Sequence, residues 1–306
     1  MPSKHQPFTQ RQQMQKNTFE IFHYKDEYMN EVALHHHDFY EIYFFIAGKV
    51  TYNIESRNFT LSPGDILLIS PMELHQPIFP QERSGYERYV LWINKSFLSR
   101  MDLPGQELSR CFDTSRPEHT NLLRPDGTKR EYLIYLMGTL LQESRSQEYA
   151  SEMATMALLA QIMVAINRLA IQGERPMDAR SESDSVVYRV LSYINENYNE
   201  DLNLDMLANK FFISKYHLSR EFNRLVGTSV YRYIIQKRLV MAKQLMNTGI
   251  SSTSVYQHCG FGDYSNFYRA FKQEYQISPK DFVTRLKESS YREDALPRRI
   301  RERLEK

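Results

Sequence analysis

One local pattern occurs twice in the last third of the chain, and it restricts the possible folds more than any other feature of the sequence. In the first copy, within residues 202–282, Leu218 and Phe222 follow Ser214, and the run ends at Gly227. Ser is a preferred first residue of a helix, a spacing of four puts both apolar side chains on one helical face, and Gly commonly follows the last turn. The pattern predicts a short helix, a tight turn and an amphipathic helix.

The second copy repeats these signals in the same order. Gly260-Phe261 precedes Phe267 and Phe271, again four apart, and the run ends before Ser278-Pro279. A helix, turn and helix of this kind can place the second helix in the major groove of DNA. Between the copies, Ser229 to Met246 has an apolar stripe of helical period and predicts one connecting helix.

The outward faces of the two predicted second helices favour DNA binding over an ordinary bundle. They carry side chains that donate to phosphates or base edges, and Arg can donate to guanine through two bonds. These residues are Lys215, Tyr216, Ser219, Arg220 and Asn223 in the first copy and Tyr264, Ser265, Asn266, Arg269 and Lys272 in the second. A solvated polar face would be an adequate interpretation of one copy, but two copies joined by one helix favour a DNA reader.

The repeat resembles the paired helix-turn-helix domain of AraC-type transcription regulators. The resemblance depends on Leu207-Ala208, Ser214, Leu218-Ser219-Arg220, Phe222, Gly227, Gly260-Phe261, Phe267, Arg269, Phe271-Lys272 and Ser278-Pro279. It implies that two recognition helices contact successive major-groove segments of double-stranded promoter DNA. Arg220 and Arg269 would contact base edges or phosphates, and Lys215 and Lys272 would contact phosphates.

Two positions depart from the family pattern in the second copy. Tyr256 stands where the family usually has a small Ala at a close helix contact, and Phe282-Val283 replaces an aromatic-Arg pair. Added volume at a packed contact typically costs about 1 to 3 kcal/mol. The first recognition helix is therefore the safer of the two predictions.

Charge divides the chain into an acidic and a basic part. Residues 1–184 carry 19 Lys and Arg against 24 Asp and Glu, whereas residues 185–289 carry 14 against 9. The basic excess coincides with the repeated pattern. A length of 306 residues also suits two domains.

The region from Phe19 to Ile93 is predicted to be rich in strands. Short aromatic and β-branched runs alternate there with turn residues, which is typical of a β-sandwich or barrel. The order of a His-rich segment, Gly48 and the turn Pro63-Gly64-Asp65 resembles the cupin barrel that AraC-type regulators use as a sensor. The predicted fold class is therefore mixed α and β, with a cupin-type β-barrel and flanking helices followed by an all-α domain with two helix-turn-helix motifs.

A cluster of His and Glu lies in this predicted barrel. His35, His37 and Glu41 precede Gly48 with the spacing of metal-binding cupins, and His75 is a candidate third imidazole. Alternation along one strand would place the first three on one face. Three imidazoles and a carboxylate would suit a divalent transition metal.

The second half of this pattern departs from that of metal-binding cupins, because the segment from Pro71 to His75 is one residue short. The favoured hypothesis is an effector pocket without metal or cofactor, formed by the His and Glu cluster with Tyr43, Phe45 and Trp92 as aromatic platforms. A metal site and residues satisfied by local hydrogen bonds stay open as alternatives.

The remaining segments complete a five-part organisation. Residues 1–17 are predicted to be a flexible arm, 18–171 the effector-binding and dimerisation domain, 172–185 a linker, 186–288 the DNA-binding domain and 289–306 a charged tail. Two helices, Lys129 to Gln147 and Ala150 to Ile171, follow the predicted strands. The second is apolar on more than one face and is expected to pair two subunits in a homodimer.

Compartment is inferred from Cys111, Cys259 and the amino terminus. The two cysteines are far apart without metal-type spacing and are expected to be free thiols. The first residues lack the apolar core of a signal peptide, and no segment is expected to reach the length of about 20 apolar residues that spans a membrane. These features predict a cytoplasmic protein without membrane contact.

The functional hypothesis combines these parts. The chain is predicted to be a sequence-specific transcription regulator, an activator that contacts RNA polymerase, with a small-molecule effector, plausibly a carbohydrate, in the cupin domain and no enzymatic activity. Two alternatives are a metal-dependent cupin enzyme fused to a DNA-binding domain and an effector-independent DNA-binding dimer.

Overall fold

The structure is a computed structural model that describes residues 13–27, 32–80, 85–116, 118–172 and 186–294, with side chains described up to residue 286. Residues 1–12 of the predicted arm, 173–185 of the predicted linker and 295–306 of the predicted tail lie outside the described residues. The chain divides into two compact units, residues 1–188 and 189–306.

The first unit contains two antiparallel sheets. Its strands are β1 Phe19–Asp26, β2 Tyr40–Ala47, β3 Thr51–Ile54, β4 Arg57–Thr60, β5 Ile66–Ile69, β6 His75–Ile78, β7 Tyr86–Ile93 and β8 Leu122–Leu123. The five-stranded sheet has the order β1-β7-β2-β5-β8, and the three-stranded sheet has the order β4-β3-β6. Gly64 has a φ of +99° in the predicted turn between β4 and β5, a conformation that favours Gly. The predicted strand-rich domain is confirmed.

Alternation along the strands divides the five-stranded sheet between two cores. Ile42 and Phe44 of β2 pack into one core with the flanking helices, whereas Tyr43 and Phe45 pack into the other with the three-stranded sheet. Successive side chains of a strand point to opposite faces, and here both faces are covered. The run Tyr40–Ala47 is therefore nearly continuous in apolar and aromatic residues. The second core, between the sheets, contains the predicted effector residues.

The predicted helices after the strands are confirmed. The segment comprises α1 Lys95–Ser99, a 3-10 helix Leu108–Phe112, α2 Gly127–Glu143 and α3 Ser151–Gln172. Leu133, Met137, Leu159 and Ile162 of α2 and α3 are buried in the first core. α2 begins before the predicted Lys129, because the Asp126 carboxylate accepts a hydrogen bond from the Lys129 amide at 3.0 Å and caps the first turn.

One expectation about this segment was wrong. α3 is long and apolar enough, by length and composition, to cross a membrane. Its inward residues Leu159, Ile162 and Ile166 are fully buried against the sheet and α2, whereas Met153 and Ile171 are exposed. The apolar composition therefore combines a core face with an exposed apolar face, and a helix of this kind is weak evidence for a membrane span.

The second unit is helical. The helices from residue 186 onward are α4 Val186–Glu196, α5 Leu204–Lys210, α6 Lys215–Val226, α7 Val230–Asn247, α8 Val255–His258, α9 Tyr264–Tyr275 and α10 Pro279–Asp294. α5 with α6 and α8 with α9 form the two predicted helix-turn-helix pairs, and α7 is the predicted connecting helix. The all-α prediction for this part is confirmed.

Buried groups fix the second pair against the rest of this unit. Arg238 of α7 donates to the carbonyl oxygens of Tyr198 and Glu200 at 2.8 and 2.7 Å. Gly260, in the turn before α9, has a φ of +75°, and a Cβ there would lie 2.9 Å from the carbonyl oxygens of Tyr198 and Asn199. Only Gly allows this close approach, which explains the residue at the position that the sequence pattern emphasised.

Candidate nucleic-acid interface and effector site

α6 is placed by local signals that the sequence predicted. The Ser214 hydroxyl accepts from the His217 amide at 3.2 Å, and Gly227 ends the helix with a φ of +67°. Leu218 and Phe222 are fully buried. The predicted DNA-contacting residues of this helix, Lys215, Tyr216, Ser219, Arg220 and Asn223, are all exposed.

The cations of α6 are held by neighbouring carboxylates. Lys215 forms an ion pair with Asp205 of α5. Glu221 pairs with Arg220 at 3.3 Å and with Arg224 at 2.8 Å. The hydrogen bond from Arg224 lowers the pKa of the Glu221 carboxyl, so this residue is anionic at neutral pH. The surface that would approach DNA is thus partly neutralised before binding.

α9 holds its charged group differently. The Asp263 carboxylate accepts from the backbone amide of Asn266 at 2.7 Å and from its side-chain amide at 2.5 Å. The side-chain Oδ1 of Asn266 in turn accepts from Arg269 Nη2 at 2.5 Å. Arg269 is therefore positioned by an uncharged amide and keeps its full charge toward solvent. Ser265, Asn266, Arg269 and Lys272 are exposed.

Tyr256 is accommodated at the contact where the family usually has Ala. Its ring packs edge to face with Tyr264, with the centroids 6.0 Å apart, and both residues are half-buried beside the core of the second pair. Phe267 and Phe271 of α9 are fully buried in that core. The second helix-turn-helix is therefore formed, and Tyr264 contributes to its packing as well as to its surface.

The His and Glu cluster of the first unit is assembled from three segments. His35 and His75 form an isolated antiparallel bridge, with backbone hydrogen bonds of 3.1 and 2.9 Å, and His37 follows before β2 begins at Tyr40. The predicted single strand through His35, His37 and Glu41 was therefore wrong at its start. The side chains still converge, because the bridge aligns the first segment with β6. Glu41 lies on β2, facing the same core.

The four cluster residues are buried, with exposures of 4% for His35, 3% for His37, 2% for Glu41 and 0% for His75. The rings of His37 and His75 lie 4.8 Å apart, and those of His35 and His75 lie 4.2 Å apart. His37 Nε2 lies 3.2 Å from Glu41 Oε2. The one-residue shortening before His75 did not prevent it from reaching the cluster.

Backbone carbonyls fix the tautomers of the three imidazoles. His35 Nδ1 lies 2.9 Å from the Ala33 oxygen, His37 Nδ1 lies 2.9 Å from the Phe39 oxygen, and His75 Nδ1 lies 2.8 Å from the Glu73 oxygen. A carbonyl only accepts, so each Nδ1 carries the proton, and in a neutral ring Nε2 is then the acceptor. Nε2 of His37 and Nε2 of His75 are buried without a hydrogen-bond partner.

Burial also determines the charge of the cluster. It lowers the pKa of His35 to about 4, and it holds the pKa of His75 well below the usual value, with the neighbouring imidazoles adding to the effect. Both rings are therefore neutral at pH 7. An unsatisfied buried acceptor costs roughly 1 to 3 kcal/mol. A ligand that supplied a hydrogen-bond donor or a cation to these nitrogens would remove that cost.

The predicted aromatic platforms lie in the same core. Trp92 Nε1 donates to Glu41 Oε2 at 2.8 Å. The Tyr43 ring packs 5.0 Å from Tyr52, and its hydroxyl is hydrogen-bonded to that of Tyr86. The inter-sheet core therefore contains a carboxylate and hydroxyls surrounded by aromatic faces.

Sequence reasoning missed a second polar group in this core. Arg88 is buried, pairs with Asp26 and lies over the rings of Tyr24 and Tyr86, 4.7 and 4.3 Å from their centroids. Arg88, Tyr86 and Trp92 share one face of β7, so alternation from the predicted Trp92 would have identified them.

α2 and α3 leave apolar and aromatic side chains exposed. The relative exposures are 47% for Tyr132, 66% for Tyr135, 73% for Met153, 44% for Met156, 37% for Val164 and 58% for Ile171. Exposed apolar residues on two helices that pack together can contribute to an interaction surface.

Comparison with known proteins matches both units. A model described as AraC-like ligand binding domain matches residues 19–163, and one described as helix-turn-helix domain matches residues 207–285. The HTH-type transcriptional activator RhaS of Yersinia pestis is 26% identical over 253 residues, 82% of this chain and 89% of that protein. RhaS of Salmonella schwarzengrund is 24% identical over 251 residues, 81% and 86% of the two chains. The crystal structure of unsaturated fatty acid bound wild-type ToxT from Vibrio cholerae covers 89% of this chain and 97% of its own, with 13% identity and a TM-score of 0.37.

Proposed function

The chain belongs to the AraC-type transcription regulators, and from this premise we propose that a small molecule bound between the two sheets of the first unit changes how the second unit binds promoter DNA. The observation that carries the DNA-binding part is the pair of capped helices, α6 and α9, each with aromatic or aliphatic residues buried and cationic and amide residues exposed. The proposed contacts are those named from the sequence, with Arg220 and Arg269 at base edges or phosphates.

The effector site is proposed to comprise His35, His37, Glu41, Tyr43, His75 and Trp92. Glu41 can accept from hydroxyl groups, and the Trp92 and Tyr43 rings offer faces for the apolar side of a sugar ring. A carbohydrate or related polyhydroxy compound fits this combination. Arg88 adds a buried guanidinium to the same core, so an acidic sugar belongs in the set of candidate effectors.

The assembly and output are also proposals. The exposed residues of α2 and α3 support a homodimer formed through these helices. The relatives named as transcriptional activators support activation. We propose that the DNA-bound protein contacts RNA polymerase and that it acts in the cytoplasm. Their names also support a regulator without enzymatic activity.

Effector binding requires a difference in affinity between conformations. A ligand shifts a population only by as much as it binds one state better than the other. The proposal therefore requires a compound that both binds the first unit and changes the affinity of the second unit for DNA.

Thermal unfolding of the full chain with a panel of neutral sugars, sugar alcohols and sugar acids tests the sensor. A ligand at 100 times its Kd stabilises the folded state by about 2.7 kcal/mol. We expect one class to raise Tm in the wild type but not in Trp92→Phe, and to change DNA affinity. The matched control is Tyr89→Phe, an aromatic residue of the same strand on the opposite core face. A panel without any Tm shift, together with intact DNA binding, would favour an effector-independent DNA-binding dimer.

A further inference from the structure

We propose that His37, His75 and Glu41 hold one divalent transition-metal ion in the first unit. Their potential ligand atoms lie within 4.8 Å of one another, and all three residues are buried. Two imidazole nitrogens and a carboxylate oxygen form a ligand set that suits ions such as Zn²⁺. The ion would be a resident part of the sensor, a role that goes beyond the proposed effector pocket.

The first argument is the orientation of the rings. His37 and His75 each direct Nδ1 to a backbone carbonyl, at 2.9 and 2.8 Å, and each leaves Nε2 buried without a hydrogen-bond partner. Metal-ligating His residues typically donate the distal N–H to a carbonyl or carboxylate, which fixes the tautomer and turns the lone pair toward the ion. Both rings are therefore held in the state that coordination requires.

The second argument is the spacing. Ligand atoms about 2.1 Å from a shared tetrahedral ion lie about 3.4 Å from each other. His37 Nε2 and Glu41 Oε2 are 3.2 Å apart, which already fits such an edge. The largest separation in the cluster, 4.8 Å, has to contract by about 1.4 Å, a change that side-chain rotations can supply.

The third argument is what else could satisfy the same atoms. Two acceptors 3.2 Å apart repel each other unless a cation lies between them, and for His37 and Glu41 that cation could be a proton. A proton on His37 leaves the buried His75 Nε2 without a donor. One metal ion satisfies all three groups.

The ion would define the effector chemistry. Three protein ligands leave coordination positions of a transition metal for oxygen donors. Compounds with adjacent hydroxyls, or with a hydroxyl beside a carboxylate, are the class that would complete the coordination of the metal. This effector role rests on the proposed sensor function, whereas the metal site itself does not.

The experiment is a titration of full-length, tag-free protein, freed of metal by a chelator, with Co²⁺ followed by visible absorption and with Zn²⁺ followed by Tm. We expect one Co²⁺ per chain, displaced by Zn²⁺, and a rise in Tm that the chelator reverses. His75→Gln and Glu41→Gln should weaken binding by at least about 100-fold. Glu41→Gln retains an oxygen that can accept from Trp92, so it controls for lost packing. His23→Gln is the matched control, because His23 lies 2.9 Å from Glu87 in an exposed His–Glu pair of the same unit.

Binding that is lost in His75→Gln and Glu41→Gln but retained in His23→Gln supports the proposal. Absence of Co²⁺ absorption in a folded wild type, or equal binding by His75→Gln, overturns it and leaves a His–Glu pair held by a proton. Running the sugar panel with and without Zn²⁺ separates the two proposals. A compound that raises Tm in the chelator-treated protein supports a sensor that works without the metal. If no compound raises Tm in either condition, the sensor proposal is rejected and the metal result still stands.

Discussion

The two recognition helices have the same architecture but hold their cations in opposite ways. On α6, Glu221 pairs with Arg220 and Arg224. On α9, Arg269 is oriented by the Asn266 amide, which the Asp263 carboxylate fixes. In the proposed complex, groups on α6 would exchange a carboxylate for a phosphate or a base, whereas Arg269 would already be positioned. The exposed faces of α6 and α9 are therefore similar in composition but differ in how their charges are paired.

From this difference we propose the reverse of the ranking that the sequence favoured. Tyr256 and Phe282-Val283 made the second motif the weaker prediction, yet Tyr256 packs against Tyr264 and the motif is complete. We therefore propose α9 as the better organised reader of bases. α6 would contribute binding that depends more strongly on salt, because its ion pairs are exposed.

The largest expected effect is on stability, and it differs between the turn at Gly260 and the helix end at Gly227. Gly260→Ala would place a Cβ 2.9 Å from two backbone carbonyl oxygens at a φ of +75°, and rigid backbone cannot move aside easily. We expect a loss of unfolding free energy of more than about 2 kcal/mol. Gly227→Ala, at the end of α6, carries the left-handed penalty of about 1 to 2 kcal/mol. Urea denaturation measures the loss of unfolding free energy in each variant. Equal losses in Gly260→Ala and Gly227→Ala would contradict the expected difference between the two positions.

The next largest expected effect is the loss of DNA affinity when either arginine is replaced. Arg269→Ala should cost about 1 to 3 kcal/mol of DNA binding if the contact is bidentate. Arg220→Ala should cost less, because Arg220 must first leave Glu221. Fluorescence anisotropy on one operator duplex at fixed salt gives both values. A larger loss in Arg220→Ala would break the proposed ranking.

The helix caps provide a smaller test on stability. Asp263→Ala removes the acceptor for the Asn266 amide at 2.7 Å, and Ser214→Ala removes that for His217 at 3.2 Å. Loss of such caps typically costs about 0.5 to 2 kcal/mol. We expect Asp263→Ala to be the more destabilising, and also to weaken DNA binding through Asn266. Asp263→Asn keeps a capping oxygen and should recover most of the stability, which circular dichroism during thermal unfolding can measure.

The smallest expected effect is a gain. Glu221→Gln frees Arg220 and Arg224 and should tighten DNA binding about two- to threefold at low salt, with a steeper salt dependence. Glu274→Gln, on α9, removes one carboxylate that is not paired with Arg269 and serves as the control for net charge. DNA titrations of both variants at several salt concentrations test this prediction. Equal changes in DNA affinity in Glu221→Gln and Glu274→Gln would show that only net charge matters.

Local signals were sufficient to predict much of the fold. Ser214, Gly227 and Gly260 act on neighbouring backbone, so the boundaries of α6 and the turn before α9 followed from the sequence. The boundary of α2 depended on the Asp126 cap, which was not recognised. The exposed faces of both recognition helices were also predictable, because buried Leu218, Phe222, Phe267 and Phe271 fix the opposite side.

Contacts between distant residues were not predictable. The strand expected from residue 35 was replaced by a bridge to His75, although His35, His37 and Glu41 still met. Arg88 lies in the aromatic core because Asp26, on a neighbouring strand, compensates its charge. The pairing of Glu221 with both arginines depends on rotamers that spacing alone does not specify.

Selection of bound sites from a random duplex library, by the wild type, Arg220→Ala and Arg269→Ala, tests the central claim most directly. The claim is that both helices read DNA and that α9 reads bases with a prepositioned arginine. We predict a site with two short elements about one helical turn apart, the second lost in Arg269→Ala and the first weakened in Arg220→Ala. A single element that depends only on Arg220 would contradict the account, because α9 would then be a structural partner of a domain that reads DNA with α6 alone.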